Sequence, residues 1–169
     1  YLPDLLNMGR VASFGKDNAE VSGMNVSENS FIVSSDTGKA ALGETYGRSW
    51  LSADIELPAS ADYAGFTLSE GGTTYYVRLE RTDGELYLSI DSGSVGCSIK
   101  LEDASETSFR LEVVADGPFI EAYVNDEYSL SCNTRLTGNY TLGIAGGGAG
   151  AKISAAEVCK LADYNNIFD

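Results

Sequence analysis

Hydrophobic and polar side chains alternate most clearly in the segment FRLEVVADGPFIEAYVND, residues 109–126. Every second residue is apolar on both sides of a short Asp-Gly-Pro break, and the residues between them are mostly charged or polar. Such alternation about a turn signal predicts a β-hairpin with one face in a core and the other toward solvent. The residues predicted to face the core are Phe109, Leu111, Val113, Ile120, Ala122 and Val124.

A second hairpin is predicted in residues 64–91, AGFTLSEGGTTYYVRLERTDGELYLSID. The pair Asp83-Gly84 is a strong hairpin turn signal. The residues predicted to face the core are Tyr75, Val77, Leu79, Leu86, Leu88 and Ile90, and those predicted to face outward are Tyr76, Arg78, Glu80, Tyr87 and Ser89.

Shorter alternating runs with turn residues between them predict about a dozen strands in all. Trp50 opens a strand that ends before Pro58, and a lone large aromatic there is expected to fill the core rather than to stack on a sugar. Residues 151–161 are predicted to form a closing strand with a bulge near Ala155 and Ala156, which pairs with an early strand. The predicted fold is all-β, a two-sheet antiparallel β-sandwich of the jelly-roll type.

The length of 169 residues suits one domain with a well-buried core. We expect residues 1–12 to be a linker or N-terminal cap in which a short helical turn is allowed. Residues 13–162 are predicted to be the sandwich, and residues 163–169 a loose tail. Because the chain starts at Tyr1 and contains no apolar run suited to a signal peptide or membrane span, we expect a module excised from a larger secreted or cell-surface protein.

The charge and the missing residue types exclude several classes of function. A net charge of −14 repels nucleic acid and anionic membranes, so neither is expected as a partner. The chain contains no His, which removes the commonest general base and zinc ligand. The three cysteines, Cys97, Cys132 and Cys159, show no metal-binding spacing and are expected to be buried thiols.

The outward-facing residues of the two hairpins are the candidate binding site. If both hairpins lie in one sheet, their polar faces line up, and tyrosine rings with carboxylates and arginines are the groups that hold the rings and hydroxyls of a sugar. The alternative is a set of ordinary cross-strand ion pairs on a solvated sheet. The candidate ligand-binding residues on this face are Tyr76, Arg78, Glu80, Arg110, Glu112, Glu121, Tyr123 and Asn125.

The hairpin at residues 109–126 and the strands that close the chain also carry a resemblance. The residues that carry it are Phe119, Ile120, Glu121, Tyr123, Val124, Asn125 and Asp126, followed by Leu142, Gly143 and Ile144. Over roughly the second half of the chain, this pattern resembles carbohydrate-binding module family 66 and the C-terminal β-sandwich of family 32 glycoside hydrolases. The resemblance implies a non-catalytic module that binds a fructan such as levan or inulin at a chain end and serves an attached catalytic domain. It assigns binding roles to Glu121, Tyr123, Asn125 and Asp126.

Other functions are weighed against this one. Glu80, Glu112 and Glu121 could supply the two carboxylates of a glycosidase, but none lies in a motif that places a second acid beside it. No cofactor is expected to be required. Loop acids such as Asp17, Glu20, Asp36 and Glu44 could hold a structural calcium ion, although ordinary solvated acids are the favoured interpretation. The alternatives to a binding module are a structural sandwich that packs against a catalytic domain and an adhesin-like sandwich that binds another protein.

Overall fold

The computed structural model describes residues 8–93 and 95–161, and these residues form two antiparallel sheets packed face to face. The strands in chain order are β1 (Met8–Ser13), β2 (Ala19–Ser22), β3 (Met24–Ser27), β4 (Ser30–Val33), β5 (Thr37–Tyr46), β6 (Ser49–Glu56), β7 (Tyr63–Glu70), β8 (Thr73–Thr82), β9 (Glu85–Asp91), β10 (Gly96–Lys100), β11 (Ser108–Asp116), β12 (Phe119–Val124), β13 (Tyr128–Asn133), β14 (Tyr140–Gly147) and β15 (Lys152–Leu161). The predicted all-β sandwich is confirmed.

The larger sheet has the order β13-β12-β11-β6-β15-β4-β3, and β1 also pairs with β15. The smaller sheet has the order β10-β9-β8-β7-β14-β5-β2. Both closing strands, β14 and β15, therefore lie in the middle of their sheets, between strands from distant parts of the chain. Within the described residues, no helix is long and apolar enough to cross a membrane.

The inner faces of the two sheets form the core, and the alternation in the sequence predicts which residues fill it. All six core positions predicted on each hairpin are buried. Rings distant in the sequence meet there, since Phe14 and Phe66 lie 6.4 Å apart between ring centroids. Burial of these side chains at roughly 25 cal/mol per Å² of apolar surface is the main stabilisation of the fold.

The closing strand has the predicted form. Its register against β6 shifts between Ser154 and Glu157, so that Ala155 and Ala156 form a bulge, and Ala155 has a φ of 51°. It pairs with β4 and β1 from the start of the chain, as predicted.

Two expectations concern the ends of the chain. Residues 8–12, expected to belong to a linker or cap with a helical turn, instead lie in the strand β1, which pairs with β15. The remainder of that segment, residues 1–7, lies outside the described residues, as does the predicted tail at 163–169.

The prediction that Trp50 fills the core is wrong. Leu51, Ala53 and Ile55 are the residues of β6 that are buried in the core, so the alternation places Trp50 on the outer face of the larger sheet. There it pairs in register with Cys159 on β15 and is partly buried.

The prediction of three thiols is also wrong for two of the cysteines. Cys97 on β10 and Cys132 on β13 form a disulfide with a Cα–Cα distance of 5.9 Å. Each lies on an edge strand, one in each sheet, and the odd cysteine count gave no indication of which two would meet. Cys159 keeps its thiol and is buried, as predicted.

Candidate functional site

A groove crosses the outer face of the smaller sheet, and its floor is made of small side chains. In one row across the sheet, Tyr76 of β8 pairs with Thr67 of β7, which pairs with Gly143 of β14. The row continues through Ala41 of β5 to Glu20 of β2. The side chains in the middle of the row are small, so the larger side chains at its two ends, Tyr76 and Glu20, form the walls of the groove.

The groove has two lobes that share four residues. The wide lobe encloses about 600 Å³, within the range of small-molecule sites. Its lining consists of Glu20, Val21, Ser22, Lys39, Ala40, Ala41, Thr67, Ser69, Thr74, Tyr76 and Ala145. The narrow lobe encloses about 240 Å³ and is lined by Ser22, Thr37, Gly38, Lys39, Tyr63, Tyr76 and Ala145.

One wall of the groove is an aromatic stack built around Arg78. The guanidinium carbon lies 4.5 Å from the ring centroid of Tyr63 and 4.7 Å from that of Tyr76. The two rings themselves meet edge to face, with centroids 6.1 Å apart and planes at 88°. The guanidinium therefore lies in the corner between two nearly perpendicular rings, gains a cation–π attraction from each and fixes both rings in place.

Two acids balance the charge of Arg78 on the side away from the groove. Its Nη2 atom lies 3.4 Å from Glu80 and 3.8 Å from Asp91, and only 18% of its side chain is exposed. Glu80 also accepts a hydrogen bond from the hydroxyl of Ser89 at 2.8 Å. Arg78 therefore acts as a support for the two tyrosines, and it does not line either lobe of the groove.

The phenol of Tyr63 keeps its proton at neutral pH. Burial raises its pKa above the ordinary value, the neighbouring Tyr76 and Asp62 raise it further, and Arg78 acts in the opposite direction. A protonated phenol can both donate and accept hydrogen bonds, which suits it to a ligand hydroxyl.

The hypothesis that both hairpins lie in one sheet is wrong. Strands β8 and β9 lie in the smaller sheet, whereas β11 and β12 lie in the larger one. Of the nine candidate residues, Tyr76 lines the groove, and Arg78 and Glu80 lie beside it. The other six lie on β11 and β12 of the larger sheet or in the turn after β12, away from the groove; they are Arg110, Glu112, Glu121, Tyr123, Asn125 and Asp126.

Four of those six residues have structural contacts of their own. Arg110 lies opposite Asp54 in register and forms an ion pair with it at 3.0 Å, and Tyr123 donates a hydrogen bond to Glu121 at 2.5 Å. The side chain of Asn125 accepts a hydrogen bond from the backbone nitrogen of Arg110 at 2.7 Å. A binding role for these residues stays a prediction.

The remaining turn residue, Asp126, contributes to a second, smaller depression of about 260 Å³. Asn125 and Asp126 both have left-handed φ values, 54° and 55°, which the turn after β12 requires. Asp126 lines the depression together with Tyr123 and Tyr128, and with Glu127 and Ser129.

Most of the groove was missed by reasoning from the sequence. Tyr63, Thr67 and Ser69 are the outward positions of β7, and the alternation in AGFTLSE could have identified them. The contribution of Lys39 and Ser22 could not be found this way, because it depends on β14 pairing with both β7 and β5. The sequence suggests Glu20 only as a calcium ligand, whereas in the structure it lines the wide lobe.

The arrangement of the acids also bears on catalysis and on metals. Glu80 lies on the opposite outer face from Glu112 and Glu121, so it cannot share a glycosidic bond with either. Among residues 8–93 and 95–161, no three side chains of the acidic, Cys or His types converge on a metal site. Calcium therefore stays a prediction.

No protein-family profile and no curated protein matches the sequence. Solved structures do share the fold. Carbohydrate-binding module CBM66 from Bacillus subtilis has a TM-score of 0.62 at 11% identity, with 89% of this chain and 96% of that chain covered. An Aspergillus kawachii beta-fructofuranosidase complexed with glycerol has a TM-score of 0.60 at 16% identity, and this chain covers 27% of it.

A third solved structure comes from a different group of proteins. The exoplasmic/lumenal domain of VIP36, bound to Ca²⁺ and Man3GlcNAc, has a TM-score of 0.60 at 8% identity. The alignment covers 92% of this chain and 91% of that domain. The chain therefore has the β-sandwich fold found in a carbohydrate-binding module, a glycoside hydrolase and a domain crystallised with an oligosaccharide.

Proposed function

We propose that this chain is a non-catalytic carbohydrate-binding module and that its glycan lies in the two-lobed groove of the smaller sheet. The observation that carries the proposal is the groove itself. It places an aromatic ring, several hydroxyls and one residue of each charge around a floor of glycine and alanine.

The lining has the chemistry that a sugar requires. The ring of Tyr76 offers an apolar face for a sugar ring, and it is held from behind by Arg78. The hydroxyls of Ser69 and Thr74 lie 2.8 Å apart and can each donate or accept. Lys39 supplies a charged donor and Glu20 a charged acceptor, which form the stronger, charge-assisted hydrogen bonds.

The finer parts of the proposal are the fructan ligand and the attached enzyme. Both rest on the resemblance described above, and the fold shared with CBM66 and with part of a beta-fructofuranosidase supports them. A secreted or cell-surface location is proposed with them. The disulfide between Cys97 and Cys132 supports it, since disulfides form and persist in oxidising environments.

Isothermal titration of the domain with fructose, levan, inulin and a panel of other glycans tests the function, with and without EDTA to test the calcium expectation. We expect saturable heat from at least one glycan and a loss of about tenfold or more in affinity for Tyr76→Ala, which removes the aromatic wall. Tyr87→Ala is the matched control, because Tyr87 is an outward tyrosine of the same sheet outside both lobes.

Each other result has a clear meaning. Saturable binding to a glycan other than a fructan would support the binding module but reject a fructan as its ligand. Equal losses for the two tyrosine variants would mean that the groove is not the binding site. Heat from no glycan at all would refute the proposal.

The second candidate is a structural domain that packs against a catalytic one. One observation favours it, namely that the fold also occurs as about a quarter of a longer fructofuranosidase chain. The large apolar residues exposed in the described part of the chain are scattered over three strands, β2, β4 and β12, and the turn before β10; they are Val21, Ile32, Val95 and Phe119. Because these residues do not gather on one face, the groove with its tyrosine, hydroxyls and charged side chains supports the binding module instead.

A further inference from the structure

The two lobes of the groove meet at a waist formed by Ser22, Lys39, Tyr76 and Ala145, the residues that line both of them. The wide lobe extends from this waist toward Ser69 and Thr74. The narrow lobe extends from it toward Thr37 and Tyr63 and has a volume of about 240 Å³.

The lobes follow one another along the strands. On β5, Ala41 lines the wide lobe, Lys39 lies at the waist and Thr37 lines the narrow lobe, each two residues from the next. On β7, the lining extends from Ser69 to Tyr63, which spans about 20 Å at roughly 3.4 Å per residue. The long direction of the site therefore lies parallel to β5, β14 and β7.

We infer that the groove holds a run of at least two linked sugar units laid along these strands, with one unit in each lobe, rather than a single terminal unit. This inference rests on the proposed function. It departs from the chain-end binding that the resemblance implies, because a single terminal unit would leave one of the two lobes unfilled.

The waist carries the groups that suit the junction between two units. Lys39 is exposed there, and its ammonium forms no ion pair with any acid in the described residues. An ammonium has three donors, so it can bind hydroxyls of the units on either side. Tyr76 borders both lobes, which places its ring beside both units.

The test is a titration series with the glycan that binds best in the panel, from the monosaccharide through oligomers of increasing length. We expect the affinity to rise about tenfold or more from one unit to the length that fills both lobes, and then to level off. A monosaccharide that binds as tightly as the oligomers would overturn the inference, although the proposed function would stand.

Two matched variants test the contribution of each lobe to binding. Thr37 lines only the narrow lobe and Thr74 only the wide lobe, and Thr→Val removes a hydroxyl while keeping the shape. We expect Thr74→Val to weaken all the ligands by about threefold to tenfold, the effect of one hydrogen bond. Thr37→Val should weaken only the oligomers by a similar factor.

Melting temperatures of both variants show whether the sheet remains intact. Oligomer affinity that is unchanged in a folded Thr37→Val variant would also overturn the inference. If no glycan binds the unmodified chain, the proposed function itself fails, which is a different result from binding that ignores chain length.

Discussion

The side chain of Tyr63 occupies the space that a Cβ atom at Gly147 would take. The two residues lie opposite each other on β7 and β14, so the missing side chain at position 147 allows the tyrosine ring to lie across the neighbouring strand. This contact sets the position of the Tyr63 ring, which forms the aromatic wall of the narrow lobe. Because Arg78 packs against that ring, the contact also sets the position of Arg78.

Gly147→Ala is therefore expected to displace the Tyr63 ring. The extra methyl group should lower the free energy of unfolding by about 1–3 kcal/mol, the usual effect of overpacking. It should also weaken oligosaccharide binding by roughly threefold or more, because one wall of the narrow lobe moves. Titration calorimetry and urea unfolding measure the two effects.

Gly43→Ala serves as the control for that variant. Gly43 lies on β5, and a Cβ added there meets no atom within 4 Å. We expect its binding to match that of the unmodified protein. Binding by Gly147→Ala that is just as tight would show that Tyr63 does not shape the site.

Removal of the disulfide should destabilise the domain without altering the groove. Cys97 and Cys132 are 35 residues apart, and the chain-entropy treatment of such a loop gives about 4 kcal/mol. We expect the Cys97→Ser, Cys132→Ser double variant to lose up to this amount in urea unfolding. A reducing agent should destabilise the unmodified protein to a similar degree and leave the double variant unaffected.

Tyr140 is expected to make stability fall at high pH. Burial raises its pKa to about 12, with Asp116 and Glu70 adding to the effect, and its hydroxyl donates to the carbonyl of Gly117. Because the folded pKa lies above the unfolded value of about 10, the stabilisation is complete below pH 10 and is lost as the pH rises through about 12.

Ultraviolet absorbance of phenolate against pH measures this ionisation. One tyrosine should titrate about two pH units later than an exposed one, and Tyr140→Phe should remove that late step. The hydroxyl's hydrogen bond should contribute about 1 kcal/mol at neutral pH, measured as the loss in the same variant. If the late ionisation step persists in Tyr140→Phe, the step belongs to another tyrosine.

Glu70 should contribute stability that acid removes. Its carboxylate accepts hydrogen bonds from the backbone nitrogen and the hydroxyl of Thr137, at 2.7 and 2.8 Å, and from the nitrogen of Asn139 at 3.0 Å. These bonds hold its pKa below the ordinary value of 4.5. The contribution is therefore present above pH 4.5 and is lost as the pH falls through the lowered folded pKa.

Glu70→Gln tests this dependence, since it keeps the shape and removes the charge. Urea unfolding at neutral pH should show the variant to be less stable than the unmodified protein, and the difference should shrink as the pH falls below about 4. A difference that stays constant across this range would mean that the carboxylate's charge has no part in it.

The elements of the fold could be predicted from the sequence because a strand's alternation is a local property. Leu111 and Val113 are inward in the pattern and buried in the structure. The bulge at Ala155 could be predicted for the same reason, since the alternation of β15 slips there.

The site could be predicted only in part, because strand order is not local. The pattern shows that Tyr76 and Tyr123 both face outward, but it does not show that they lie on opposite sheets. Tyr76, Arg78 and Glu80 share one strand, so the sequence places them together correctly. The far wall at Lys39 depends on β14 lying between β5 and β7, which no short segment encodes.

The pairing of the first and last described strands has a mechanical consequence. Met8 lies opposite Leu161 at the end of the antiparallel pair β1 and β15, so a force that pulls these two residues apart opens the pair one hydrogen bond at a time, like a zipper. Tension would peel β1 away first. Because Leu161 also donates a backbone hydrogen bond to Arg48, the force then passes through β15 into the larger sheet, whereas the groove lies on the other sheet and the disulfide joins the far edge strands β10 and β13.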